Sequence, residues 1–329
     1  MRYAQWVVLL AAATLAACGS KGHGAAQGGA SSASSASVGS KPEWNTDASA
    51  EKVAKLARGD VDCPARIKTA ARDAKAPVDD VVGVRPGITY EEAANVVLCT
   101  DKLMVVQPDG SRGFQIKTFG ETLRQGFEAR LAEAQVHKSS KQMMQEMQDD
   151  ALARGGNAVR HDMKAGQSKW FVATMGAPGQ ERVISVAREE WFQDGKNPTM
   201  ASVEQALLKK YGTPSRSQKA GGRTLVSWIY DPLGRPVTET SPLYNRCSGV
   251  SDPNGGVNLS PDCGLVVAAV VAPLPDNPDL SQFFQVGVVD QAGGYEKVSA
   301  TERNLQQLDS QRRAQQVEAA SRNASDPKL

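Results

Sequence analysis

Little in this sequence is equipped for covalent chemistry. Histidine occurs three times in 329 residues, at His23, His137 and His161, with no metal-ligand spacing to one another or to cysteine. A Ser-His-Asp arrangement therefore has little material. No CxxC, GxSxG, HExxH, P-loop or GxGxxG pattern is present. Adjacent carboxylates occur at Asp79-Asp80, Glu91-Glu92, Asp149-Asp150 and Glu189-Glu190, and are expected to be solvated faces. These absences argue against an enzyme and give no reason to expect a metal or cofactor. Aromatic residues are scarce at 5%, and a net charge of +2 implies no nucleic-acid partner. The apolar run Trp6–Leu15 is too short to span a bilayer core of about 30 Å.

What is present begins with an address. Arg2 followed by that apolar run has the form of a secretion signal. Its end, "LAAC" at Leu15–Cys18, resembles the lipobox of bacterial lipoproteins, with small residues before a cysteine. The resemblance implies cleavage before Cys18, a thioether-linked diacylglyceryl group and N-acylation, which together hold a protein stably on a membrane. Gly19 follows, rather than the aspartate that resembles an inner-membrane retention signal, so the outer membrane, periplasmic side, is the expected location. Ser20–Ser40 is a Gly/Ala/Ser tract with almost no apolar bulk and reads as a tether.

With Cys18 lipidated, four cysteines remain in an exported chain: Cys63, Cys99, Cys247 and Cys263. An even count favours disulfides. Of three pairings, Cys63–Cys99 and Cys247–Cys263 keep each bridge within one region. The second closes "CSGVSDPNGGVNLSPDC", a turn-rich loop that such a bridge stabilises by about 3 kcal/mol.

The folded part mixes helix and strand signals. Glu51–Lys75 reads as helical, interrupted near "RGDVDCP". Pro86-Gly87 is a turn, Thr89 an N-cap, and Glu91 and Glu92 suit the first turn of a helix. Leu103–Val106 and Phe114–Thr118 read as strands. Gly120–Arg154 carries an intermittent stripe of Leu123, Phe127, Leu131, Met143, Met144 and Met147, and reads as one long helix or a helical hairpin. The methionines suit either packing onto the body or a partner surface. Trp170–Met175 and Glu181–Phe192 read as a hairpin; along the second, Ile184, Val186 and Arg188 share one face although one is charged. Thr199 or Ser202 caps a one-faced helix over Val203–Tyr211, stopped by Gly212 and Pro214. Leu225–Tyr230, Leu265–Val271 and Phe283–Val289 are strands, the last two apolar enough to be central. Ser299–Asn323 is a polar helix.

Two stretches echo each other: a loop, a Thr, a short helix, then strands. "GIT" at Gly87–Thr89, "KYGTPS" at Lys209–Ser215 and "WIY" at Trp228–Tyr230 resemble the SmpA/OmlA lipoprotein domain, found in an accessory lipoprotein of the outer-membrane β-barrel assembly machinery. A tandem of such units, each with its own disulfide, resembles the secreted β-lactamase-inhibitory protein. The first stretch lacks the Gly-x-Pro and the second the Gly-Met-Thr of that domain. Separately, "NLQQLDSQRRAQQV" at Asn304–Val317 looks like the helix of the OmpA-like peptidoglycan-binding domain, without the strands and acidic stretch that accompany it there.

The expected architecture is thus α+β, short helices on antiparallel sheet, in two related units. The boundaries are a signal over 1–17, lipidated Cys18 and tether over 18–45, a first unit over 46–119, a helical insertion over 120–157, a second unit over 158–298 and a polar helix and tail over 299–329. The expected role is non-enzymatic: a lipid-anchored envelope protein that binds or assists another envelope protein. One alternative is an inhibitor of an exported enzyme, presenting a sheet face with Trp170, Trp228 and Tyr230. Another is binding to peptidoglycan through Arg312 and Arg313.

Overall fold

Local sequence signals set the helices, and long-range pairing sets most of the rest. The computed structural model describes residues 47–109, 114–153 and 163–325. The expected signal, Cys18, the tether, His23 and His161 lie outside the described residues. Helix α1 (Ala50–Arg58) is capped by Ser49 and ends at Gly59. The expected resumption of helix toward Lys75 does not occur. The backbone N–H groups of Lys68 and Thr69 point instead at the Glu92 carboxylate, at 2.5 and 2.6 Å.

Helix α2 (Tyr90–Leu98) starts at Thr89 with a full capping box. The Thr89 hydroxyl accepts from the Glu92 N–H, and the Glu92 carboxylate accepts from the Thr89 N–H. Strand β1 (Met104–Pro108) follows. Strand β2 (Gly126–Leu131) then corrects the expected helix over 120–157, which survives only as α3 (Ser140–Ala153). The four-residue spacing of Leu123, Phe127 and Leu131 imitates a helical face. Pairing of β2 with strands on both sides overrides it and buries Phe127 and Ala129 in alternation. Phe114–Thr118 is not a strand; Phe114 and Ile116 pack across the sheet near Phe171 and Ile184.

The remaining elements are β3 (Ser168–Met175), β4 (Arg182–Trp191), α4 (Met200–Tyr211), β5 (Arg216–Ala220), β6 (Arg223–Ile229), β7 (Leu265–Leu274), β8 (Asn277–Asp290) and α5 (Gln291–Asn323). Among the described residues eight strands form one antiparallel sheet in the order β1-β2-β3-β4-β8-β7-β6-β5, and five helices accompany it. The fold is α+β. Each half runs a Thr-capped helix and then four strands, and the halves meet along β4 and β8, with Val186 opposite Val288. Thr89 bridges to Arg182 in β4, and Thr199 bridges to Leu280 in β8.

One face of the sheet carries α2 and α4. Phe127, Trp170, Val172, Val186, Trp228, Val267 and Val288 pack there against Tyr90, Ala93, Val97, Val203 and Leu207. The other face is covered by α5 and by the loop between β6 and β7. That loop crosses β8 so closely that a Cβ at Gly287 would sit 2.0 Å from the Val250 carbonyl oxygen, which only glycine permits. The bridge Cys247–Cys263 is buried in this layer, and Cys63–Cys99 ties the segment after α1 to the end of α2.

A register shift between β3 and β4 explains the mixed face read from the sequence. Thr174 pairs with Val183 and Ala173 with Ser185, so Ile184 is the extra residue. Ile184 joins the α5 side, whereas Val186 lies in the core on the helix side, with Arg188 two residues further along the same strand face.

Candidate functional site

The aromatic surface expected from Trp170, Trp228 and Tyr230 does not exist as a surface. Trp170 is 0% and Trp228 1% exposed, both in the core beneath the helices, and Tyr230 is half-buried against the same core. Large apolar rings on central strands gain more from burial than from display. Trp228 donates its indole N–H to the Gly212 carbonyl, 2.9 Å away, and so fixes the end of α4. Gly212 stops that helix with φ 81°, a conformation that favours glycine.

The carboxylate pairs also depart from expectation. Asp79, Glu92 and Glu189 are buried rather than solvated. Burial alone would raise the Glu92 pKa, but the Thr69 hydroxyl and the N–H groups of Thr89, Thr69 and Lys68 outweigh it and hold the carboxyl down to about 2. Burial pushes Glu189 up, although the Trp191 indole N–H donates to it at 2.6 Å. Beside it, Lys169 donates to Asn254 at 2.7 Å and lies 3.3 Å from Glu128, tying the β6–β7 loop to the sheet. These groups brace loops. Among the described residues no group of three or more His, Cys, Asp and Glu is placed to hold a metal ion.

An apolar opening lies between α4 and the sheet. Thr199 caps α4 by accepting from the Ser202 N–H at 3.1 Å. Val203, Leu207 and Tyr211 then recur every four residues and form the buried side. The helix does not close fully on the strands. A cleft of about 380 Å³ is bounded by Val203, Ala206 and Leu207 of α4, by Phe284 and Val286 of β8, and by Val81 and Val82 from the turn before α2. Its charged lining residues are Arg188 and Lys210, both cations.

Arg188 reaches this face from the middle of β4. Its guanidinium lies 5.1 Å from the Trp170 ring centre and 5.8 Å from that of Phe284. Nη2 is 2.5 Å from Glu190, and Nε donates weakly to the Ser168 hydroxyl at 3.4 Å. Burial lowers its pKa, with Glu190 opposing. Lys210 pairs with Asp80 at 2.8 Å, and the Tyr211 hydroxyl donates to the Asp80 carbonyl at 2.9 Å. Burial, with Asp80 and Asp79 nearby, pushes the Tyr211 phenol up.

The opposite wall is strained. Val82 has φ 48°, a left-handed conformation that is a true outlier for a β-branched residue and costs on the order of 1–3 kcal/mol. Paired bonds between Val81 and Val84, at 2.8 and 3.0 Å, and the Asp80 carboxylate accepting from the Gly83 N–H hold it there. The strain sets an exposed valine side chain at the cleft wall.

The structure also places the α3 methionines and the α5 arginines. The α3 methionines are exposed, Met143 at 51%, Met144 at 62% and Met147 at 71%, so they do not pack onto the body. In α5, Asp309 accepts from both Arg312 and Arg313, and Arg312 also donates to the Phe119 carbonyl. His137 contributes a backbone N–H to Asp47.

Arg188 and Val82 are the residues that sequence reasoning left without a use. The signal for Arg188 was a charge in register with Val186; that for Val82 is a β-branched residue in a turn, visible only with the backbone. Comparison with family models, with curated proteins and with solved structures finds no match.

Proposed function

We propose that the protein is a lipid-anchored, non-enzymatic component of a bacterial cell envelope, facing the periplasm from the outer membrane, that works by binding another envelope component. The address is supported by the lipobox-like Leu15–Cys18 and the tether behind it. The relation to tandem SmpA/OmlA-like units is supported by the two capped helices, each followed by four strands, in mirrored order across β4 and β8.

The observation that carries the binding reading is the α4 cleft. It is apolar, open, and lined by no nucleophile paired with a base. A narrower reading, in which the component is a protein, is favoured by the three exposed methionines of α3, since methionine adapts to irregular partner surfaces. The cleft and the helix distinguish this reading from an inhibitor gripping an enzyme with sheet aromatics, because those aromatics are interior.

The test is site-specific photo-crosslinking in native membranes from Ala206 at the cleft, Met144 on α3 and Lys219 on β5. A discrete adduct from Ala206 or Met144, absent from Lys219, is expected. Equal labelling at all three positions would overturn the binding reading. Mass spectrometry of the mature N-terminus tests the anchor: a diacylglyceryl-modified Cys18 is expected, and a free Cys18 thiol would contradict it.

A further inference from the structure

We infer that the α4 cleft takes an apolar monocarboxylate of the fatty-acid kind, its chain under α4 and its carboxylate on Arg188 and Lys210. The inference rests on reading the cleft as a binding site and names what would occupy it.

The lining carries the first part of the argument. Its only charged members are two cations, each sharing its charge with a carboxylate outside the lining, Arg188 with Glu190 at 2.5 Å and Lys210 with Asp80 at 2.8 Å. A ligand with an apolar body and one negative end meets cations and no carboxylate on that lining, whereas a cationic one meets no anion. The choice of residue carries the second. Val286 and Val186 show what the same face uses when packing is the only demand. Arg188 departs from them at the cost of partly desolvating a cation. Its side chain is 18% exposed, and with Nη2 on Glu190 and Nε on Ser168, Nη1 donates to none of the described residues, so that nitrogen can meet a carboxylate oxygen.

The polar inventory favours an acyl chain over a polypeptide. A bound peptide brings amides that need partners. The Ser202 hydroxyl already donates to the Thr199 carbonyl at 2.8 Å, and the Tyr211 hydroxyl to Asp80. An acyl chain needs none. The strained Val82 adds apolar surface at the wall.

The test is calorimetric titration of the full chain with decanoate and decyltrimethylammonium below their micelle concentrations and with decanol below its solubility limit. One saturable decanoate site is expected, at least about tenfold tighter than decanol and with no preference for the cation. Ala206→Trp should abolish binding by filling the mouth of the cleft from an exposed helix position. Lys210→Ala and Arg188→Leu should each weaken decanoate about tenfold and leave decanol unchanged. If Arg188→Leu does not fold, the exposed-site variants Lys210→Ala and Ala206→Trp decide the outcome. Decanol binding as tightly as decanoate would overturn the carboxylate assignment while leaving the cleft a binding site. Decanoate binding that ignores Ala206→Trp, or no saturable binding, would overturn the inference; a specific Ala206 cross-link would then still support the broader reading.

Discussion

Helices α2 and α4 occupy matching places on one face of the sheet, yet one is sealed and the other is not. In α2, Tyr90, Glu92, Ala93, Val97 and Leu98 are buried within nine residues; in α4, only Val203, Leu207 and Tyr211 are buried within twelve. The difference lies in what wraps them. Around α2 the segment after α1 supplies a disulfide at Cys99 and backbone donors to Glu92, and the guanidinium of Arg58, at the end of α1, donates to the Leu98 and Met104 carbonyls. Tyr90 meets Phe127 edge-on at 5.2 Å and carries Arg124 over its ring. Around α4 the strained Val81–Val84 turn approaches but does not cover, and Arg188 stands where an aliphatic residue would complete the core. A repeated helix-on-sheet plan can thus leave one copy sealed and the other open.

The largest effect should come from unclamping α2. Replacing Cys63 and Cys99 together with Ser opens a loop of 36 residues and should lower unfolding free energy by about 4 kcal/mol, read from urea denaturation. An equal loss on reducing the protein selectively at Cys247–Cys263, whose loop spans 16 residues, would blur the comparison.

Next is the Glu92 anion. Its folded pKa lies near 2, below the ordinary 4.5, so its contribution is fully present above pH 4.5 and is lost as pH falls toward 2. Glu92→Gln should therefore cost about 3 kcal/mol at pH 7 and flatten the acid limb of stability between pH 4.5 and 2. An unchanged acid limb would show that the cage around the carboxylate is not formed.

Smaller still is truncation at the open helix. Leu207→Ala should cost about 2 kcal/mol, at the low end for a buried leucine, because one side of Leu207 already faces the cleft. The smallest change is favourable: Val82→Gly should raise the thermal midpoint by relieving about 1 kcal/mol of backbone strain. The same variant removes an apolar side chain from the cleft wall, so a stabilised protein with weaker decanoate binding would sharpen the contrast between the halves.

Much of this plan was legible from local patterns. Thr89 and Thr199 announced both helices, the hairpin of β3 and β4 followed from alternation around Gly176–Gly179, and "LVVAAVV" and "FFQVGVV" marked the central strands. What escaped was set by distant partners. β2 looked helical because Phe127 and Leu131 are four apart, and only β1 and β3 reveal it as a strand. β5, "RSQKA", has no apolar alternation at all and exists because β6 supplies its hydrogen bonds. Trp170 and Trp228 looked like a binding surface because scarce aromatics draw attention, while their registers turn both inward. The cleft was illegible for the same reason: Val82, Arg188 and Ala206 come from three separated elements.

Native-state amide hydrogen exchange compared between residues 90–98 and 200–211 tests the central contrast most directly. The sealed α2 should exchange only through openings close to global unfolding, and α4 through local openings of distinctly lower free energy. Equal protection in the two helices, or greater protection in α4, would contradict the division of the sheet into a closed half and an open one.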